Sequence, residues 1–167
     1  MDSEYQDIIK DILENKEVIK LGETKHHDNN RLKHSLRVSF YSYKIAKKLH
    51  MNYKDVARAG VLHDFYFEQI NDMSHFKDKI RMYRKEHTRV ALKNSEKYFD
   101  LSKLEKNIIL SHMFPCNLTL PRYKESWLLS IVDKCVSTYE FTNLFTKAFI
   151  VSFKYLLKMD YSKNINK

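Results

Sequence analysis

Apolar residues spaced three and four positions apart, broken by short polar stretches, make this chain read as a succession of helices. A first helix is predicted over about Tyr5 to Ile19, followed by the polar stretch GETKHHDNN. A second covers about Arg31 to Leu49, with Asp28 to Asn30 supplying its N-cap, and a third about Lys54 to Asp64. Beyond the irregular segment FYFEQINDMSHF, helices are predicted over about Ile80 to Tyr98 (in one piece or two), Ser102 to Met113 and Arg122 to Tyr139. Asp100 and Ser102 fit as caps for the helix that carries Leu104 to His112, and Pro115 and Pro121 mark a loop that cannot continue it. An apolar helix over residues 141–158 closes the series. No repeat, low-complexity tract or linker-like shift interrupts the pattern, so the expectation is all-α: one domain over residues 1–167, a bundle of about six to eight helices.

Composition supports that reading. Two glycines and two prolines leave few of the residues on which tight turns and phosphate-cradling loops depend. Cys116 and Cys135 form no CxxC pair, and MDSEYQDIIKD lacks the basic and apolar regions of a signal peptide, so a reducing cytoplasm is the expected setting. The most apolar stretch, FTNLFTKAFIVSFKYLLKM, is interrupted by Lys147 and Lys154; it reads as a buried or oligomer-facing helix, not a membrane span, and suits a monomer or a homodimer. Thirty Lys and Arg against 21 Asp and Glu give a net charge of +9, which draws phosphate-rich ligands or nucleic acid without choosing between them.

Histidines and aspartates fall on or at the ends of the apolar stripes, and a polar group that faces a core needs a partner there. His34 heads a stripe continued by Val38, Tyr41 and Ile45. His63 closes the stripe of Val56, Ala59 and Gly60, and Asp64 follows at once. Leu104 and Ile108 lead to His112, and His87 stands with Val90, Ala91 and Asn94. Asp133 lies inside an almost continuously apolar run, where an unpaired carboxylate is costly. Each has a plainer reading taken singly, as a hydrogen-bonded core histidine or a capping aspartate. Together they direct an imidazole or a carboxylate inward from five helices, and a divalent transition metal (Fe, Mn, Ni or Zn) would satisfy all of them while removing the penalty of burying the two carboxylates.

These residues, in this order, resemble the HD-domain superfamily of metal-dependent phosphohydrolases. Its signature of a histidine, a His-Asp doublet and a distant aspartate is matched by His34 in RLKHSLRVS, His63 and Asp64 in AGVLHDFYFE, and Asp133 in LSIVDKCVS. The likeness covers about Arg31 to Tyr139. A subset of the superfamily inserts two further histidines, and His87 in KEHTRVAL and His112 in ILSHMFP occupy those places. The resemblance implies a helical bundle of the HD type with two ions per chain: His34, His63, Asp64 and Asp133 would hold one, and Asp64 would bridge to a second held by His87 and His112. The same six-ligand order is found in HD-type hydrolases of diadenosine tetraphosphate, which makes a nucleotide polyphosphate one candidate substrate class. The cyclic-dinucleotide phosphodiesterases called HD-GYP carry a glycine and lysine after the doublet and a GYP motif downstream; here FYFEQ follows Asp64 and no GYP occurs, so that activity is not expected.

The expected chemistry is hydrolysis of a phosphoester or phosphoanhydride of a nucleotide or other small phosphorylated metabolite by a metal-bound hydroxide. Asp64 as bridging ligand and Arg37, one turn from His34, as partner of the phosphate are the expected catalytic residues; Arg122, Lys124 and Lys134 are weaker cation candidates. His26, His27 and His75 lie in polar loops and read as solvent-exposed, and His50 ends a helix, where a cation suits the dipole. The basic run Lys77 to Lys97 reads first as a solvated face and second as an electrostatic lip beside His87. The alternative function is a non-catalytic metal-containing module for ligand binding or regulation. A nucleic-acid binder ranks last, because the basic residues are not interleaved with aromatics and no recognition motif occurs.

Overall fold

In the computed structural model, which describes residues 2–22, 25–26, 29–67 and 86–142, the first predicted helix is two. α1 (Ser3–Leu13) buries Tyr5, Ile9 and Ile12 along one face. Asn15 then takes an extended backbone, and its side chain accepts a hydrogen bond from the Glu17 amide, which opens α2 (Lys16–Lys20). Asparagine is among the best N-cap residues, so it starts a helix there more readily than it continues one. A two-residue antiparallel pair, β1 (Lys25–His26) with β2 (Asn29–Asn30), occupies part of the stretch expected to be a loop. α3 (Arg31–Lys48), α4 (Tyr53–Leu62), α5 (His87–Glu96) and α6 (Lys103–Ser111) follow. The chain divides into two compact units, Met1–Lys134 and Cys135–Lys167. Residues 124–134, called α7, are helical in the first unit, and residues 135–142 are helical in the second. Apart from the short β pair, the described residues are all-α, as expected.

The inward face of α3 is not the one its large apolar residues suggest. Val38 is fully buried, but Tyr41 is 55% exposed and Ile45 39%. The buried positions are Arg31, Ser35, Val38, Ser39, Ser42, Tyr43 and Ala46, a face rich in serine. Small side chains there let α3 lie against α4: a Cβ on Gly60 would sit 2.6 Å from the Ser39 Cα. Hydrogen bonds hold the contact, since the Tyr5 hydroxyl donates to Ser39 Oγ at 2.8 Å and Ser39 Oγ donates to the Ala57 carbonyl at 2.6 Å, tying α1, α3 and α4 together. Burial pushes the Tyr5 phenol up to about 12.

Caps set the other boundaries. Asn52 accepts from the Asp55 amide at the start of α4, and Ser102 with Glu105 forms a capping box on α6, so of the two caps expected for that helix Ser102 is the one used. Glu105 is buried and answered by Arg58, whose Nε donates to it at 3.1 Å while its Nη1 donates to Asp11 at 2.6 Å. α3 ends in a Schellman turn: the His50 amide donates to the Lys47 carbonyl, the Met51 amide to the Ala46 carbonyl, and His50 itself has a φ of 52°. A histidine in the left-handed region is strained where glycine is not, so His50→Gly is expected to raise stability by about 0.5–1 kcal/mol. Urea unfolding would show this as a higher midpoint at unchanged slope.

Among the described residues no helix is long and apolar enough to cross a membrane. Most of the apolar segment 141–158, the stretch 68–85 with the first part of the basic run Lys77 to Lys97, and His27 lie outside the described residues, as does His75 within that stretch.

Candidate metal centre

The six residues singled out by their place on apolar stripes come from five helices and meet in the first unit. His34 lies on the first turn of α3. His63 is the C-cap of α4, and Asp64 follows it as the helix unwinds. His87 opens α5, His112 caps the C-terminus of α6, and Asp133 projects from α7. Helix ends suit this work because their backbone groups lack intrahelical partners and side chains there can turn inward. The turn that carries Asp64 is pinned on both sides. Asn94 on α5 donates to the Phe65 carbonyl at 2.9 Å, and the buried Arg31 guanidinium donates to the Tyr66 carbonyl and stacks 3.6 Å from the centroid of the Tyr66 ring.

Two imidazoles are aimed by their own helices. His63 Nδ1 lies 2.8 Å from the Gly60 carbonyl, and His112 Nδ1 lies 2.8 Å from the Ile109 carbonyl. A nitrogen that faces a carbonyl must carry the proton, so each ring turns Nε2 toward the interior, the orientation that metal-binding histidines take. His63 Nε2 lies 3.7 Å from Asp64 Oδ2 and 3.7 Å from Asp133 Oδ1, while His34 Nε2 lies 3.1 Å from Asp133 Oδ1. The other oxygen of Asp64, Oδ1, is 3.5 Å from His112 Nε2 and 3.7 Å from His87 Nε2, and those two nitrogens are 3.2 Å apart. Asp64 thus turns one oxygen to each of two clusters.

The electrostatics follow from that crowding. Burial by itself would raise the Asp64 carboxyl, but His63, His112 and His87 hold it well below the ordinary carboxylate range. Burial works against Asp133 in the same way, and His34 and His63 hold it below the ordinary carboxylate range as well. Burial would lower His63, yet Asp64 and Asp133 raise it. The carboxylates are ionised, and they draw cations, whether protons or metal ions, into the space between the rings.

Divalent metal fits this donor set. His63 is fully buried and its Nε2 has no hydrogen-bond partner, an arrangement that is costly unless the lone pair is used. Atoms bound about 2.1 Å from one ion lie roughly 3–3.6 Å from each other, near the spacings found here. Three groups of three can each share an ion: His34, His63 and Asp64; His63, His112 and Asp133; and Asp64, His87 and His112. Imidazole and carboxylate suit Zn, Fe, Mn and Ni.

The family model described as HD domain matches residues 31–137, more than half of the chain and the stretch that holds all six residues. The chain belongs to the HD domain family. HD domains are helical, bind divalent metals and form a superfamily of metal-dependent phosphohydrolases, and this HD domain has the fold and the His/Asp clusters to match. No curated protein and no solved structure matches the chain.

Other residues of the HD domain divide into those near the clusters and those turned away. Arg37 sits half-buried on α3, one turn beyond His34, whereas Arg122 and Lys124 are exposed. Lys134, a weaker cation candidate by sequence, donates to the His112 carbonyl at 3.0 Å. Arg31 escaped the sequence reading, in which it only opened a helix. It is 3% exposed, and the Tyr66 ring it stacks on lies 5.1 Å from the His87 ring. Its position one turn before His34, mirroring Arg37 one turn after, was the available signal.

Proposed function

We propose that this HD domain is a phosphohydrolase of small phosphorylated metabolites, nucleotides among them, that works with two divalent transition-metal ions. The observation that carries the proposal is Asp64, one oxygen of which faces His63 and the other His87 and His112. In this assignment His34, His63, Asp64 and Asp133 hold the first ion, and Asp64, His87 and His112 the second. When bound, such ions activate water and neutralise charge on phosphoryl oxygens. The chain's own residues do the rest. The Gly60 and Ile109 carbonyls keep His63 and His112 turned inward, so that no reorganisation is needed at the moment of reaction. Arg37 is proposed to face the phosphate, and Arg31 supports it as a second guanidinium: it is buried, and its Nε has no hydrogen-bond partner. No serine or cysteine nucleophile is required.

Phosphate release from a panel of nucleoside mono-, di- and triphosphates, dinucleoside polyphosphates and phosphosugars, with Mn, Fe, Ni or Zn supplied, tests the proposal. Release that a chelator abolishes and the metal restores is expected. Tight metal binding with no substrate turned over would instead point to a module that binds a ligand without hydrolysing it.

A further inference from the structure

The C-terminal end of α6 is fastened in an unusual way. The carbonyl of His112, one of the helix's last, would ordinarily be left to water. Here it accepts two hydrogen bonds from α7: one from Ser130 Oγ at 2.7 Å and one from the Lys134 ammonium at 3.0 Å. The same ammonium donates to Ser130 Oγ at 2.8 Å and to the Ser130 carbonyl at 3.1 Å. Ser130 is itself buried, and Lys134 directly follows Asp133. One ammonium therefore joins the backbone of His112 to the helix that supplies Asp133.

We infer that Lys134, acting with Ser130, is a positioning residue that keeps the His112 imidazole in register with Asp64 and His87, and so sets how tightly the second ion is held. This deepens the two-ion reading above and rests on it. The His112 ring is rigid with respect to its own helix end, because Nδ1 bonds the Ile109 carbonyl. Its remaining freedom is movement of that helix end against α7, which the ammonium and the serine restrain. Elsewhere the two helices have a separate tie, from Ser126 Oγ to Asn107 Oδ1 at 2.8 Å, and Arg122 N also donates to Asn107 Oδ1 at 2.9 Å. Loss of Lys134 therefore acts on the His112 end and leaves the packing between α6 and α7 in place. Of the ligands assigned to the first ion, His34 and His63 lie on other helices, and Asp133, though next to Lys134, is carried by the backbone of α7 itself, so the first ion's binding is expected to be kept.

The test is titration of metal-free, full-length protein with Mn, read by electron paramagnetic resonance and calorimetry to give a separate constant for each ion. Wild type is compared with Lys134→Met, Lys134→Arg and Ser130→Ala. Removing an outer hydrogen-bond partner of a ligand typically costs about ten- to a hundredfold in metal affinity. Lys134→Met is expected to weaken the second ion by that factor, leave the first unchanged, and keep the melting midpoint of the metal-free protein near that of wild type. Arginine restores part of the loss because it can donate to the same carbonyl, and Ser130→Ala repeats the selective loss to a smaller degree. If Lys134→Met fails to fold, Ser130→Ala and Lys134→Arg decide the matter by the same readout. Two unchanged constants, or both weakened together in step with a lower melting midpoint, would overturn the inference. Wild-type protein that binds fewer than two ions overturns the two-ion reading itself, a result read without any variant.

Discussion

If the proposed two-ion hydrolase assignment holds, Asp64→Ala is expected to abolish the proposed phosphate release and to bind at most one ion in place of two. The carboxylate faces His63 with one oxygen, and His112 and His87 with the other, so its loss removes an anionic ligand from both ions of the proposed assignment. Its removal also leaves Asp133 as the one carboxylate of the six proposed ligands. The charge stabilisation a bound divalent ion gives a phosphoryl transition state is worth several kcal/mol, so a fall of about a thousandfold or more in kcat/KM is expected. Asp64→Asn, which keeps the shape and one oxygen but not the charge, should fall nearly as far. Metal content and rate measured on the same preparation check both halves of the prediction. Hydrolysis that persists in Asp64→Ala would have to come from another site.

Gly60→Ala should be damaging although it adds only one methyl group. Its new methyl would lie 2.6 Å from the Ser39 Cα, 2.9 Å from the Ser39 Cβ and 3.3 Å from Leu129 Cδ1. The nearest obstacle is backbone on a packed helix, so α3 and α4 must separate. Overpacking of this kind costs about 1–3 kcal/mol, or roughly 3–10 °C of melting temperature for a chain of this size. The consequence reaches the metal centre, because Gly60 also supplies the carbonyl that orients His63 while α3 carries His34. Unfolding in urea, with and without metal, would show a lower midpoint and a smaller gain from metal. An unchanged midpoint would mean the two helices have room that their contact denies.

Much of this could be read from residue spacing. His63 and His112 stand at the ends of apolar stripes, and both turn out to cap helices with their rings drawn inward by a carbonyl one turn back. The face of α3 was misread because its packing surface is built from Ser35, Ser39 and Ser42, which count as polar, while Tyr41 and Ile45 are exposed. Close approach of two helices selects for small side chains and leaves no hydrophobic signal. The break between α1 and α2 hung on one capping asparagine inside an otherwise periodic run. The partners of Arg31 and Lys134 were illegible for a different reason. Each of these two side chains acts through a backbone carbonyl of a residue far away in sequence, the Tyr66 and His112 carbonyls, and no local pattern records such a partner.

The central claim is that six side chains form a two-ion centre, and metal content by plasma mass spectrometry tests it most directly. The protein would be purified without an affinity tag or chelator, and reconstituted where needed with Mn, Fe, Ni or Zn. About two transition-metal ions per chain, dropping in His112→Ala as well as in Asp64→Ala, is the predicted result. No bound metal even after reconstitution would contradict the account.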